Sequence, residues 1–211
     1  MLSLFFFTHM QSAIAAPQEV AFLSNKGVLY VQVYKAKTLA ADLSHDHAIQ
    51  AVGWSGKGTW DSEDYSTCNI SIAVPVNNLQ VDNPEIRKMA GIEGTISESM
   101  RMDVKKHMLS DIQLDAEKYP MINFQSTSCE GSGSAMTLKG NFTMHGTTKA
   151  ISVPITVSSD NGVNLDGLSL KGSFPVNATD YGIEPYSAMF GAVGNKDGMK
   201  ITFDLVAAER K

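Results

Sequence analysis

Cys68-Asn69-Ile70-Ser71-Ile72-Ala73-Val74-Pro75-Val76 alternates cleanly, with Ile70, Ile72, Val74 and Val76 facing one way and Asn69, Ser71 and Ala73 the other. An extended chain with this period buries one face only. A sheet built of such strands protects its apolar face by closing on itself. Seven further stretches read as strands: Val28–Lys35, His47–Asp61, Met121–Cys129, Ala135–Met144, Ala150–Ser158, Gly167–Asn177 and Met199–Ala208. His47–Asp61 carries Trp54 and Trp60 among Gly53, Gly56 and Gly58, and glycines inside a strand mark the bends that curl a sheet. Turn-like links such as Glu130–Ser134 and residues 159–162 make neighbouring strands antiparallel. The fold class is therefore all-β with a helical insert, eight antiparallel strands with the helices between strands 3 and 4.

The insert lies between Asp82 and Tyr119. Asn83 followed by Pro84 is an N-cap with proline at the first helical position, and Gly91 ends that short helix. Thr95 and Glu98 have the spacing of a capping box. Ile96, Met100, Val104 and Met108 then recur every fourth residue as one apolar stripe, with Lys105, Lys106 and His107 in the last turn, where cations suit the helix dipole. Such a helix forms a wall or cap for an internal apolar space, and its methionines adapt to irregular shapes.

The chain has 211 residues and a formal net charge of −5, enough for one domain with a sizeable core and the wrong sign for nucleic acid. After the N-terminus no apolar run reaches membrane-spanning length. The apolar Leu2–Phe7 run and the small residues Ala13-Ile14-Ala15 read as a signal peptide over residues 1–15, although its start lacks Lys and Arg. The mature domain is taken as residues 20–211. Cys68 and Cys129 form an even pair compatible with a disulfide in an exported chain, but spacing alone leaves bridged and free thiols both open.

No phosphate loop, dinucleotide fingerprint or nucleophile elbow is present, and the reading is of a non-enzyme. The sharpest polar cluster is Ser44-His45-Asp46-His47. Two histidines at i and i+2 of an extended chain share a face and could hold a metal with His145; the plainer reading is a polar strand entry with solvated imidazoles. His107 reads as a favourable charge at a helix end.

Three stretches, residues 109–126, 138–149 and 178–183, taken together resemble the YceI-like family. Leu109–Pro120 followed by Ile122-Asn123-Phe124-Gln125-Ser126 is similar to its Tyr-Pro and "x-I-x-F-x-S" segment. Leu138–Lys149 is similar to its "L-T-I-H-G-V-T" run, and Ala178–Ile183 to its "R-x-D-F-G" turn. The likeness runs from about Gly27 to Leu205, with Leu43–His47 replacing the usual opening strand, and Ala178 and Tyr181 replacing arginine and phenylalanine. The resemblance implies a lipocalin-like barrel, exported to the bacterial periplasm, that holds polyisoprenoids, isoprenoid quinones or other lipids; a homodimer is also compatible with it.

Taken together, these features describe a carrier for a long apolar ligand, with no cofactor other than such a non-covalently bound lipid. The expected lining is Ile70, Ile72, Val74, Ile122, Phe124, Phe142, Phe174 and Phe203 on the strands, with Met100, Val104 and Met108 on the helical wall. Alternation does not separate cavity lining from packed core. The rival readings are a periplasmic metal-binding or stress-related protein using His45 and His47, and a hydrolase or isomerase of lipids that would need converging polar groups inside the barrel.

Overall fold

A computed structural model describes residues 17–61, 64–158 and 167–209. The signal-peptide reading of residues 1–15 and the link at residues 159–162 lie outside the described residues. The chain forms a closed antiparallel barrel of eight strands, the first three of which are each broken in two. β1 comprises Gln18–Leu23 and Val28–Lys35, β2 comprises His47–Gln50 and Ser55–Trp60, and β3 comprises Asn69–Pro75 and Gln80–Val81. The others are β4 (Met121–Ser132), β5 (Ala135–Met144), β6 (Thr147–Ser158), β7 (Ser169–Asn177) and β8 (Val193–Glu209).

Register shows why each broken strand counts once. Along β8, Asn195 to Asp204 face Lys35 back to Val28, and Ala207 to Glu209 then face Phe22 back to Val20. The halves of β2 follow those of β1, with His47 opposite Val33 and Trp60 opposite Gln18. The β1–β8 pairing closes the cylinder and leaves no free edge along that seam. Gln18–Leu23 supplies the smaller part of this closure and was not read in the sequence, where Ala21-Phe22-Leu23 breaks the alternation. The stretch read as one strand over His47–Asp61 is interrupted at Ala51–Trp54, where Gly53 turns with a φ of +64°. Gly140 has another use: a Cβ there would lie 2.5 Å from the Phe124 ring, so the glycine makes room for an aromatic group inside.

The helices lie between β3 and β4. α1 (Pro84–Met89) begins as read, with Asn83 accepting from the Glu85 amide at 3.0 Å. It covers the outer face of the wall, where Ile86 packs on Tyr30 and Ala48. α2 (Glu98–Leu109) corrects the capping box: Ser97, not Thr95, is the N-cap and accepts from Met100 N at 3.3 Å. Thr95 lies two residues too early, and Ile96 is buried ahead of the helix.

Connections alternate between the two ends of the barrel. At one end the turns include Gly133–Ser134 between β4 and β5. The opposite end carries three long connections: residues 36–46, the helical insert and residues 178–192. The exception there is the tight turn at His145 and Gly146, both with positive φ (49° and 73°), the primed geometry that suits twisted hairpins.

Candidate functional site

The two ends of the barrel are filled differently. At the short-turn end Val20, Ile70, Leu168 and Leu170 are fully buried together with Trp54 and Trp60, and Cys68 is bonded to Cys129 across neighbouring strands, their Cα atoms 5.9 Å apart. Toward the long-loop end the interior opens. A cavity of about 100 Å³ in the middle of the barrel is lined by Ile70, Ile72, Val74, Ile122, Phe124, Phe142, Phe174 and Phe203, all eight of the strand residues read from alternation. A second cavity of about 540 Å³ lies between the barrel mouth and α2, and Met100, Val104 and Met108 line it. Val31, Ile49, Leu79, Ile122, Met144 and Ile201 line both, so the two spaces adjoin.

Local physics places these side chains. Phe142 stands edge-on between Phe174 (5.7 Å) and Tyr181 (5.6 Å), an aromatic belt across the barrel below the mouth. No residue of α2 is fully buried, although its stripe packs against the core. An amphipathic helix with a half-buried apolar face has its stripe over empty space, as the larger cavity shows. Gln113 Nε2 donates to the Glu184 carbonyl at 2.9 Å, tying the segment after α2 to the β7–β8 connection.

The polar groups of the mouth were the part that alternation did not reach. His45 and His47 do share a face, their rings 6.5 Å apart, and both line the larger cavity. His47 is not a solvated imidazole, however. It is buried, and its Nδ1 lies 2.6 Å from Asp82 Oδ2. Asp82 Oδ1 accepts from the Ala48 amide (2.9 Å) and from the Arg87 guanidinium (2.8 Å), whose remaining donors reach the carbonyls of Asp46, Glu93 and Gly94. Burial alone would raise the Asp82 carboxyl, but the hydrogen bonds from His47, Ala48 and Arg87 outweigh it and hold the group below the usual carboxylate range. A carboxylate that only accepts fixes the proton on His47 Nδ1 and with it the ring orientation. Asp82 takes a φ of +51°, which short acidic side chains tolerate better than most. The sequence signal available was the Asp82-Asn83-Pro84 entry to α1, where an aspartate beside a helix start has a ready local reading.

His145 does not join them. It occupies the positive-φ turn, its Nδ1 is 3.0 Å from the Tyr181 carbonyl and its ring packs on Tyr119. Among the described residues no three His, Cys, Asp or Glu side chains come together as a metal cage. His107 is more than a charge at a helix end: it lines the cavity and packs edge-on against Tyr186 at 4.7 Å. No helix among the described residues is long and apolar enough to cross a membrane.

Comparison with solved structures gives the same barrel. The crystal structure of Burkholderia cenocepacia BcnA matches with a TM-score of 0.65 at 14% identity, covering 89% of this chain and 99% of that one. The Campylobacter jejuni YceI protein matches with a TM-score of 0.53 at 13% identity, covering 77% and 84%. A mutant of the latter, described with a monobromobimane guest, matches equally well at 12% identity. No curated protein matches by sequence. Residues 32–207 match the family described as the YceI-like domain, which is most of the chain, and the protein therefore belongs to the YceI-like family.

Proposed function

We propose that this protein is an exported, non-enzymatic carrier that holds the chain of a polyisoprenoid, isoprenoid quinone or similar lipid inside the barrel. One observation carries the reading: two adjoining apolar cavities lie between α2 and the middle of the barrel and share six lining side chains. Membership of the YceI-like family supports a lipid-binding role. The larger cavity alone falls within the usual size of small-molecule sites. Each methylene buried there contributes roughly 0.8 kcal/mol, so ten contribute about 8 kcal/mol before the cost of association. That suffices for holding a tail without specific contacts.

The polar end of the ligand rests near His47, His45, His107 and Tyr186 at the mouth. His47, oriented by Asp82, is the rigid member of this group. The non-enzymatic reading rests on the apolar lining of the inner cavity and on the disulfide, which removes Cys68 and Cys129 as nucleophiles; the bond to Asp82 serves here to orient His47 toward a ligand head group. Export to the periplasm rests on the residue pattern of the N-terminus and on the family likeness.

Native mass spectrometry of protein purified from its own host, followed by lipid extraction, tests this. The expected result is a co-purifying amphiphile in stoichiometric amount. In its absence, added farnesol or a longer prenol raises the melting temperature in proportion to the logarithm of its concentration. Protein that carries nothing and is not stabilised by prenols sinks the reading.

A further inference from the structure

The cluster of His47, Asp82 and Arg87 fixes more than the position of a ring. His47 stands on the inward face of β2 with Ile49 two residues on, and both line the larger cavity. It is only 9% exposed. Its Nδ1 is taken by Asp82, 2.6 Å away, and its Nε2 has no hydrogen-bond partner among the described residues. His45, whose ring is 6.5 Å from that of His47, does not supply one. Among those residues the sole fully enclosed side-chain polar atom without a partner is Thr202 Oγ1. The free nitrogen of His47 therefore keeps an accessible face, and that face belongs to the cavity. Charge and hydrogen bonding decide what it takes. Arg87 already balances the Asp82 carboxylate at 2.8 Å, so the buried cluster is electrically complete with a neutral imidazole. An ionised carboxylate has no proton to give, and the one proton of the ring lies on Nδ1. Nε2 then presents a lone pair and no hydrogen. In an apolar space such an acceptor is satisfied only by a donor.

We propose that His47 Nε2 selects cargo whose head group carries a neutral hydroxyl, a prenol or a quinol, over heads that only accept, such as a quinone, an ester, an ether or an ionised phosphate. The inference rests on the carrier reading and narrows it: the barrel holds the tail, and one lone pair discriminates the head. Asp82 is the positioning residue, because it sets which nitrogen bears the proton. That role has a distinctive consequence. Asp82 Oδ1 accepts from the Ala48 amide and from Arg87, so an asparagine in this place must keep its carbonyl oxygen on those two donors. Its NH2 group then occupies the position of Oδ2 and donates to His47 Nδ1, which must accept. The ring proton moves to Nε2, and the cavity acquires a donor where it had an acceptor. The same substitution that weakens the cluster thus reverses its preference.

The test compares farnesol with farnesyl methyl ether on the delipidated full-length mature protein at about pH 8, above the ordinary imidazole pKa of ~6.5. Affinities are read by displacement of a fluorescent prenol analogue. The farnesol-to-ether ratio is compared between variants, which cancels the differing solubility of the two ligands. Wild type favours farnesol by about tenfold relative to His47→Leu. Asp82→Asn turns the preference toward the ether. Nitrogen-15 NMR places the His47 proton on Nδ1 in wild type and on Nε2 in Asp82→Asn, a readout that mere loosening of the mouth does not move. Equal ratios in wild type and His47→Leu overturn the proposal, as does a wild-type proton on Nε2. Where His47→Leu does not fold, the wild-type NMR and the Asp82→Asn ratio decide. Wild type that binds both ligands with the same ratio as the variants loses the head-group role and remains a carrier. Wild type that binds neither removes the carrier reading and this proposal with it.

Discussion

The short-turn end of the barrel is solid and the long-loop end is hollow, although the same eight strands build both. At the solid end Val20, Leu168 and Leu170 retain almost no exposure, and the disulfide joins β4 to the chain entering β3. At the hollow end the space is roofed by a helix rather than filled. Stability is concentrated where side chains interlock, and capacity for a guest where they do not. Removing atoms from one end therefore costs folding energy, while doing so at the other costs affinity.

The largest effect follows from opening the disulfide. Replacing Cys68 and Cys129 by Ser frees a loop with a sequence separation of 61 residues. The loss is about 4 kcal/mol in chemical denaturation. Leu170→Ala at the solid end leaves a void that its neighbours cannot fill and costs about 3 kcal/mol, with prenol uptake retained at temperatures where the variant is folded. Equal losses from Leu170→Ala and from Val104→Ala would break the contrast between the ends.

Asp82→Asn comes next, at about 2 kcal/mol, because charge-assisted bonds to His47 and Arg87 are weakened together. Its pH dependence sharpens the point. The folded carboxyl titrates below its unfolded value, so its contribution is complete above about pH 4 and is lost as pH falls through the depressed folded value. Melting curves of wild type and Asp82→Asn should begin to converge as pH falls below about 4 and meet only below the depressed folded value. The smallest expected change in stability comes from Val104→Ala on α2, under about 1 kcal/mol, since the side chain already borders empty space. Uptake of a fluorescent prenol analogue falls severalfold in the same variant, and Val104→Trp, which fills the space, lowers it further.

Much of the barrel was readable because period-2 alternation is set by the pleat itself. Val28–Lys35 and Ala135–Met144 keep the bounds that alternation gave them, and all eight strand residues read as inward border the inner cavity. Gln18–Leu23 escaped because its sequence does not alternate and its place is set by partners far along the chain, Ser55–Trp60 and the end of β8. The polar clip escaped for a related reason. His47, Asp82 and Arg87 lie on three separate elements, and spacing says nothing about a buried carboxylate 35 residues from the imidazole it orients. His145, offered only in the rival metal reading, shows the converse case: a residue type that suits metal chemistry is held in place by a hairpin turn.

The sequence alone determined that apolar faces would be enclosed by a sheet and that one helical insert would stand against it, because both periods are local consequences of backbone geometry. Only the tertiary structure decided which inward side chains meet and which face open space. That outcome depends on where the helix roof lies, which is settled by contacts between residues distant in the chain.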